Sequence, residues 1–556
     1  MVFCPSSLHR SPNLAFASLF RMSLRILLLL VVLHAAAGFA FLKDTGEGFP
    51  LDDTWLHMVY ARSFGEGRGF AYNEGQPETG VTAPLWTALL AVPVGLSEFV
   101  ADQQAALAAE GGVLAPREGR PDPGVRLLGG LMGLFMAFVG WRLASRAGTW
   151  PAVFVGLVLS FDPLLTFDRF AGMELPLFGL LTLMLVGALQ DGRESRAAIL
   201  SGLLVFTRPE GVLLIALGAV WFMRRRQGWA RYLGISTLFL LSWAGYCYLV
   251  SGRFLPATVE AKAAAVFDPG AIFSSTWALF QDTGWGWALP VAAVVGIFSL
   301  EGGRRTLGML CFTMASVLFL GVMLTRPLEV SETTGQIPYY WARYARIAWP
   351  LVLVLVATGV SAIVRTAWAG LLCRPHYAVA LVTPLLILGF LGRDLPAHAV
   401  DVSTRFAAEC KHVEDLNVAA GRWIARHTTN DVLVATHDAG AVRFFGRRKV
   451  LDIYGNQNHE FLTREREGID SLRQWLTEQD PDVLVVFPAL WARNHSPELS
   501  DIWKDLPPQQ GAALLASSDD FADFFGLTKR AATFHTDETA TVPSPLHADM
   551  AIFVRP

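Results

Sequence analysis

Charged residues are scarce in this chain, and its few cysteines are widely separated. Only 17% of the 556 residues are charged whereas 53% are hydrophobic, a balance that indicates extensive contact with lipid. The five cysteines form no close pair, which argues against a disulfide framework and against a cysteine-based zinc site. The net charge of −3 lacks the basic excess that nucleic-acid binding requires, so no nucleic-acid partner is expected.

Long apolar runs bounded by charges are what the sequence has in abundance. We interpret them as about eleven transmembrane helices, several of which are short for ~30 Å of hydrocarbon. The predicted fold class is therefore a polytopic α-helical membrane protein. The predicted spans are 24–42, 125–144, 151–167, 174–190, 196–207, 209–223, 232–250, 287–300, 307–324, 347–365 and 376–392.

The arginines at the start of the chain set the predicted orientation. Arg10, Arg21 and Arg25 precede the first span, so residues 1–23 should be cytoplasmic in a multi-pass protein of the cytoplasmic membrane. An alternative stays open, in which the apolar run 27–33 and the alanines after it belong to a cleaved signal peptide.

Later basic clusters decide how the stretch 84–100 is interpreted. If this apolar stretch crossed the membrane, the following arginines would lie outside, against the positive-inside bias. We therefore expect 84–100 to lie at the outer interface. Residues 43–124 then form one long outer loop within a transmembrane catalytic domain of residues 24–392.

The chain changes character after the last apolar run. Charges become frequent, and the apolar runs shrink to strand length at 432–435 and 483–487, each preceded by a helical pattern at 416–426 or 469–478. Such alternation favours an α/β domain with a short parallel sheet. We assign this extracytoplasmic domain to residues 393–556.

The predicted first outer loop carries the densest set of residues suited to chemistry. Asp52 and Asp53 form an adjacent pair of carboxylates, and clustered charge separates pKa values, so one of them can act as a general base or a metal ligand. The structural alternative is that they cap the helix that follows. Polar and aromatic residues of the same loop that we assign to a sugar-binding surface are Arg62, Glu78, Thr82 and Trp86.

Charged residues also collect at the predicted outer ends of later spans, where desolvation is costly without a partner or a ligand. Arg169 and Glu174 lie in the second outer loop, and an ion pair between Arg169 and Asp168 is the structural alternative. Arg208, just below the outer surface, suits a phosphate, although a salt bridge to Glu210 would also explain it. Further candidates for substrate binding are Glu210, Lys262, Arg343 and Tyr344.

Short motifs follow one another in a fixed order between residues 50 and 490. They are Asp52-Asp53, 78–86 (ETGVTAPLW), 172–178 (GMELPLF), 207–211 (TRPEG), 256–262 (PATVEAK), 343–344 (RY), 421–424 (GRWI), 438–441 (DAGA) and 450–455 (VLDIYG). As an ordered set, these motifs resemble the integral-membrane GT-C glycosyltransferases. Within them, the resemblance is closest to the relatives of the mycobacterial terminal arabinofuranosyltransferase.

The resemblance implies an enzyme that transfers a sugar from a polyprenyl-phosphate donor to a cell-envelope glycan, lipid or protein outside the cytoplasmic membrane, with inversion of the anomeric carbon. It implies that the loop aspartates are the reaction centre, and the candidate catalytic residues are Asp52, Asp53 and Glu174. No cofactor is assigned, and a divalent cation is left open. The chain departs from the family pattern at Val81 and Ala257, which leaves the donor sugar and the acceptor open.

A transporter or lipid flippase is the main alternative from another class. Such a protein carries ionisable groups or broken helices near the membrane midplane, whereas the predicted spans are nearly free of charge. A membrane anchor whose C-terminal domain binds a partner is a third interpretation. It would leave the pair Asp52 and Asp53 without a task.

Overall fold

A computed structural model of the chain places most of its residues. The predicted span 376–392 and the first part of the predicted cytoplasmic segment, residues 1–11, lie outside the described residues. The described residues are 12–110, 119–262, 269–285, 288–298, 305–325, 339–373, 394–487, 529–535 and 549–555.

The body of the molecule is a bundle of apolar helices. Among the described residues, four helices are long and apolar enough to cross a membrane, or five if one bent pair is counted as a single span. The predicted count of about eleven spans is not confirmed by this criterion, because several of the apolar helices have only 10–17 residues. In chain order the elements are α1 (Pro12–Leu42), α2 (Asp52–Gly65), β1 (Ala71–Asn73), β2 (Gln76–Pro77), α3 (Pro84–Glu110), α4 (Asp122–Ala144), α5 (Thr149–Phe161), α6 (Pro163–Phe170), α7 (Leu175–Gln190), α8 (Glu194–Thr207), α9 (Gly211–Arg224), α10 (Trp229–Ser251), α11 (Ala257–Lys262), α12 (Pro269–Gln281), α13 (Ala288–Phe298), α14 (Arg305–Thr325), α15 (Tyr339–Arg346) and α16 (Trp349–Cys373).

The predicted continuous span 151–167 is bent in the structure. Helices α5 and α6 meet at Asp162 at an angle of 53°. Pro163 has no N–H to continue the hydrogen bonding of α5, and the Asp162 carboxylate caps α6 by accepting a backbone N–H at 3.0 Å. The bend carries Asp168 and Arg169, which were expected in a loop, into the protein interior.

The stretch 84–100 forms the first part of α3, which is long and apolar enough to cross a membrane. Its contacts nevertheless keep it on the polar side of the bundle. The Trp86 indole N–H donates to the loop before α7 at 3.0 Å, and Glu98 pairs with Arg62 at 2.7 Å and with Arg447 at 2.6 Å. A crossing helix would place Glu98 about 18 Å deeper than Trp86. Trp86 and Glu98 thus both bind polar groups outside the helix, and the interfacial placement of 84–100 stays a prediction.

Three of the later basic clusters lie just after the C-terminal ends of α4, α7 and α9. Arg146, which follows α4, pairs with Asp191 after α7 at 2.7 Å, and Arg193 lies 4.0 Å from the same carboxylate. The turn after α9 packs here too, because Gly228 contacts the side chain of Glu194. These three basic turns thus share one end of the bundle.

A five-stranded sheet dominates the C-terminal part. The strand order is β4-β3-β5-β7-β6, with β3, β4 and β5 parallel, as predicted, and with two antiparallel strands added at one edge. Strand β5 is buried throughout, which explains its unbroken apolar sequence. The elements of this part are α17 (Leu395–Val413), a π-helical turn (Glu414–Val418), α18 (Ala419–His427), β3 (Leu433–Thr436), α19 (Ala441–Gly446), β4 (Lys449–Asp452), α20 (His459–Glu467), α21 (Ile469–Gln479), β5 (Val483–Val486), β6 (Lys529–His535) and β7 (Asp549–Val554).

The loop 43–124 and the C-terminal sheet region are packed against each other. The Tyr72 hydroxyl donates to the carbonyl of Ala439 at 2.7 Å. The Asn73 amide donates to the carbonyl of Val450 at 2.9 Å and accepts the N–H of the same residue at 3.0 Å. These buried contacts show that the two regions predicted to lie outside the membrane are on one side of the bundle.

Candidate active site

A cavity of about 460 Å³ lies between the loop 43–124 and the helical bundle. This volume is within the usual range for small-molecule sites. One end of the cavity is polar, and the other is lined by aliphatic side chains. The candidate residues predicted from the sequence that line it are Asp53, Thr82, Glu174, Arg208, Glu210, Arg343 and Tyr344.

Helix α2 forms one wall of the cavity. Asp53, Leu56, His57 and Tyr60 all line it, and their spacing of three and four residues places them on one face of an α-helix. His57 and Tyr60 were not among the sequence-based candidates. The helical period counted from Asp53 is the signal that would have found them.

Arg343 of α15 holds the Asp53 carboxylate. The distance from Arg343 Nη2 to Asp53 Oδ2 is 2.5 Å, and the same nitrogen lies 3.1 Å from the Tyr344 hydroxyl. The side chain of Arg343 is only 2% exposed, whereas that of Asp53 is 17% exposed. A guanidinium so deeply buried needs a charged partner, and Asp53 provides it while keeping contact with the cavity.

Arg208 occupies the turn between α8 and α9. It is bound by both oxygens of Glu210, at 3.1 Å from Nε and 2.9 Å from Nη2, and its Nη1 donates to Glu174 Oε1. The guanidinium carbon lies 5.3 Å from the centre of the Tyr344 ring, and that of Arg343 lies 5.0 Å from it. Two arginines thus flank one tyrosine at the polar end of the cavity.

The short helices α8 and α9 explain the depth of this turn. Each has 14 residues, a length of roughly 21 Å that is well below the hydrocarbon thickness. A turn between two such helices cannot reach the level of the ends of longer neighbours. Arg208 is therefore buried at this turn, where Glu174 and Glu210 compensate its charge.

His57 and Glu174 face each other across the same end of the cavity. His57 Nε2 lies 3.7 Å from Glu174 Oε2, and His57 Nδ1 lies 3.1 Å from the Thr87 hydroxyl. Among the described residues, Glu174 Oε2 accepts no hydrogen bond although it is buried. The carboxylate is thus anchored through one oxygen by Arg208, and its second oxygen is directed towards His57.

The apolar end of the cavity lies between α9 and α14. Its walls include Val212 and Leu213 of α9 and Val322 and Leu324 of α14. Val212 is 41% exposed and Leu324 is 50% exposed, so the cavity reaches the apolar surface of the bundle. An elongated apolar chain could therefore enter from the side of the bundle.

Asp52 does not line the cavity but binds the C-terminal region. Its Oδ2 accepts the N–H of Gly440 at 2.7 Å, and its Oδ1 accepts the N–H of Ala441 at 2.8 Å. A Cβ atom at Gly440 would lie 2.1 Å from the Asp52 carbonyl oxygen, so only glycine fits at this contact. Burial, with the nearby charge of Asp438, raises the pKa of Asp52 well above its usual range.

Two more candidates of the loop also turn towards the C-terminal region. Arg62 pairs with Glu98, donates to the carbonyl of Phe444 at 3.1 Å and lies over its ring at 3.9 Å. Burial lowers the pKa of Arg62 to about 10. Burial and the charge of Asp452 raise the pKa of Glu78 to about 8. The structure thus places both side chains outside the cavity lining.

The remaining candidates do not line the cavity either. Trp86 is fully buried, and its indole N–H bonds the carbonyl of Gly172. Arg169 is turned inward and donates to the carbonyl of Ser160 at 2.8 Å, while Asp168 pairs with Arg346 and not with Arg169. The side chain of Lys262, at the end of α11, lies outside the described residues. Among the described residues, no cluster of three or more His, Cys, Asp or Glu side chains is arranged to hold a metal ion.

Comparison with known proteins supports the fold. ArnT from Cupriavidus metallidurans in the apo state is 15% identical, over 85% of this chain and 94% of that one, with a TM-score of 0.52. The same protein bound to undecaprenyl phosphate aligns over 84% of this chain and 94% of that one, with 15% identity and a TM-score of 0.50. The Archaeoglobus fulgidus oligosaccharyltransferase in complex with Zn and sulfate is 11% identical, over 84% of this chain and 70% of that one, with a TM-score of 0.50. This chain has a GT-C-like fold.

Comparison of sequences says less about this chain than comparison of structures does. A family model described as a domain of unknown function (DUF8728) matches residues 407–528, in the C-terminal part. Comparison with curated proteins finds no match. The finer relation to the mycobacterial arabinofuranosyltransferase therefore stays a prediction.

Proposed function

We propose that the protein is a membrane glycosyltransferase that moves a sugar from a polyprenyl-phosphate donor to an acceptor glycan, lipid or protein on the outer face of the cytoplasmic membrane. The observation that carries the proposal is one cavity that combines three carboxylates, two arginines and an apolar end open to the bundle surface. The fold supports it, because ArnT, which has a similar fold, binds undecaprenyl phosphate.

The donor phosphate binds between Arg208 and Arg343. Both guanidinium groups lie at the polar end of the cavity, on either side of Tyr344. Arginine suits this task because its planar donors match phosphate oxygens and its charge stabilises the phosphate as it leaves. The polyprenyl chain then extends along the apolar end, past Val212 and Leu324, towards the lipid.

Asp53 acts as the general base. It removes the proton of the acceptor hydroxyl while the acceptor oxygen forms a bond to the anomeric carbon. The bond from that carbon to the phosphate oxygen breaks at the same time, and polyprenyl phosphate leaves with the bonding electron pair. A single displacement of this kind inverts the anomeric carbon. Positioned bases of this type contribute about 10²–10⁴-fold to a rate.

Asp52 and Glu174 have supporting tasks in this proposal. Asp52 fixes the loop to the C-terminal region through the two N–H groups at the start of α19. Glu174 orients Arg208 towards the cavity. The adjacent aspartates thus divide two tasks, since successive residues at a helix start point in different directions.

One observation favours the second candidate, a transporter. The bent pair α5–α6 is the kind of broken helix that transporters place at their substrate sites, and it carries the buried Asp162 and Asp168. Neither residue lines the cavity, and Asp168 is paired with Arg346. The bend is therefore compatible with the glycosyltransferase as well, because its Asp168 binds α15 through Arg346.

The proposal is tested by incubating the purified protein with a panel of polyprenyl-phosphate sugars and measuring release of polyprenyl phosphate. We expect cleavage or transfer with at least one donor, and loss of that activity in Asp53→Asn. Translocation of labelled polyprenyl phosphate by protein-containing vesicles, without cleavage of any donor, would instead support the transporter.

A further inference from the structure

We infer that His57 and Glu174 together bind a hydroxyl group of the transferred sugar, on the carbon next to the anomeric centre. The inference rests on the proposed function, because it requires a glycosyl phosphate in the cavity. It names a property of the donor that the sequence leaves open: the sugar carries a hydroxyl at this position.

The distance between the two side chains fits a bridging hydroxyl. His57 Nε2 and Glu174 Oε2 are 3.7 Å apart, which exceeds the range of about 2.7–3.2 Å for a direct N–H···O bond. A hydroxyl oxygen about 2.8 Å from each atom would accept the imidazole N–H and donate its own hydrogen to the carboxylate. A sugar hydroxyl can do both at once.

Thr87 favours the tautomer that this arrangement needs. Its hydroxyl lies 3.1 Å from His57 Nδ1, and Thr87 itself is fully buried in α3. A proton on Nε2 faces the negative charge of Glu174, which is favourable, and Nδ1 then accepts the Thr87 hydroxyl. Because both neighbours are buried, the imidazole ring is fixed in its orientation.

The position of Glu174 indicates which hydroxyl is bound. Its Oε1 accepts from Arg208, the proposed phosphate ligand, so the hydroxyl bound by Oε2 lies close to the phosphate. In a glycosyl phosphate, the hydroxyl on the carbon next to the anomeric centre is the nearest one to the phosphate. His57 also lies one helical turn after Asp53 on the same face of α2, so both residues face one sugar.

A site of this kind discriminates strongly against a sugar that lacks the hydroxyl. Without it, a buried carboxylate oxygen and a buried imidazole N–H would lose their bridging partner. Sites built to hydrogen-bond a substrate hydroxyl reject the deoxy analogue by up to about 10⁴–10⁵-fold. We expect at least tenfold, which is about 1.4 kcal/mol.

The test compares donors with and without the hydroxyl. The probes are farnesyl-phosphate esters of glucose, mannose and arabinofuranose, each beside its 2-deoxy counterpart, and farnesyl phosphate without a sugar. The proteins are the parent, His57→Leu, His57→Gln, and the control His34→Leu. His34 is also a buried histidine, bonded to the carbonyl of Gly130 at 3.0 Å, but it does not line the cavity.

We expect the parent to prefer the hydroxylated donor at least tenfold in kcat/KM, and His57→Leu to lose most of that preference. His57→Gln, whose amide nitrogen can replace Nε2 as a donor, should keep part of it, and His34→Leu should keep it fully. The affinity for farnesyl phosphate alone should not change in His57→Leu. A general structural defect in this variant would instead lower that affinity.

An unchanged preference in His57→Leu would overturn the inference while leaving the proposed function intact. Loss of farnesyl phosphate binding in His57→Leu would also overturn it, because the histidine would then support the cavity as a whole. A parent that processes none of the hydroxylated donors contradicts the proposed function itself.

Discussion

Two buried ionic clusters are formed by neighbouring turns of helix α15, and the first of them lines the cavity described above. In the first, Arg343 pairs with Asp53 at the polar end of the cavity. In the second, Arg346 lies one helical turn further along, 3.3 Å from Asp168 and 3.6 Å from Asp282. None of the residues of this second cluster lines the cavity.

The difference between the clusters lies in what surrounds the charges. In the second cluster, Asp282 also lies 3.2 Å from Arg405 of α17. The two carboxylates, Asp168 and Asp282, and the two arginines therefore neutralise one another. In the first, both the acid and the base adjoin space for a ligand. The same residue types thus join helices in one place and line a cavity in another.

The largest effect on activity is expected for the change Asp53→Asn. Asparagine keeps the size and most hydrogen bonds of the side chain but removes its basicity, so we expect transfer to fall by about 10²–10⁴-fold. Turnover of a polyprenyl-phosphate sugar measures this. Undecaprenyl phosphate binding and the Tm in detergent serve as controls and should stay close to those of the parent. Full transfer in Asp53→Asn would move the base to another residue.

The second cluster should respond in stability and not in chemistry. Arg346→Gln leaves two buried carboxylates without their shared cation, and breaking such a pair costs about 3–5 kcal/mol. We expect a large fall in Tm, measured in detergent, with an unchanged KM for the protein that remains folded. A variant with the parent's Tm and a raised KM would place Arg346 in the substrate site and erase the distinction between the clusters.

Arg343→Gln is the matched change on the cavity side of the same helix. In the proposed site it removes one charge-assisted contact to the donor phosphate, which is worth about 1–3 kcal/mol. Asp53 is partly exposed and can be solvated, so we expect a smaller fall in Tm than for Arg346→Gln. The affinity for undecaprenyl phosphate measures the effect. An unchanged affinity would mean that the phosphate binds elsewhere.

The last effect concerns the contact between the loop and the C-terminal region. The pKa of Glu78 is raised to about 8 from its ordinary 4.5 by burial and by Asp452. The folded state therefore keeps a proton that the unfolded chain loses, so stability falls as the pH rises from 4.5 to about 8. The slope is at most about 1.4 kcal/mol per pH unit. Glu78→Gln should flatten the fall in Tm over this range; an equal fall in parent and variant would contradict the assignment.

Much of the fold could be predicted because the signals are local. Apolar runs bounded by arginines indicated helices such as α4 and α7, and strand-length runs indicated β3 and β5. The bend between α5 and α6 was missed, although the pair Asp162-Pro163 carries the signal of a cap followed by a helix-starting proline.

The site was predictable only in part, because its contacts join distant positions. The sequence identified Asp52 and Asp53 as a candidate pair. It could not show that Asp52 binds Gly440, 388 residues away, while Asp53 faces the cavity. Arg169 and Arg343 looked equivalent at the ends of predicted spans. Because of the bend at Asp162, Arg169 points inward and donates to the carbonyl of Ser160.

The central claim is that the cavity holds a polyprenyl phosphate, and two valines of α9 test it most directly. Val212 lines the apolar end of the cavity and is 41% exposed, while Val220 is 45% exposed on the same helix and does not line it. Tryptophan should be tolerated at both positions but should obstruct the cavity only at the first. Measured with purified protein in detergent, the affinity for undecaprenyl phosphate should fall at least tenfold in Val212→Trp, about 1.4 kcal/mol, and stay unchanged in Val220→Trp. Equal affinities for both variants and the parent would contradict the claim.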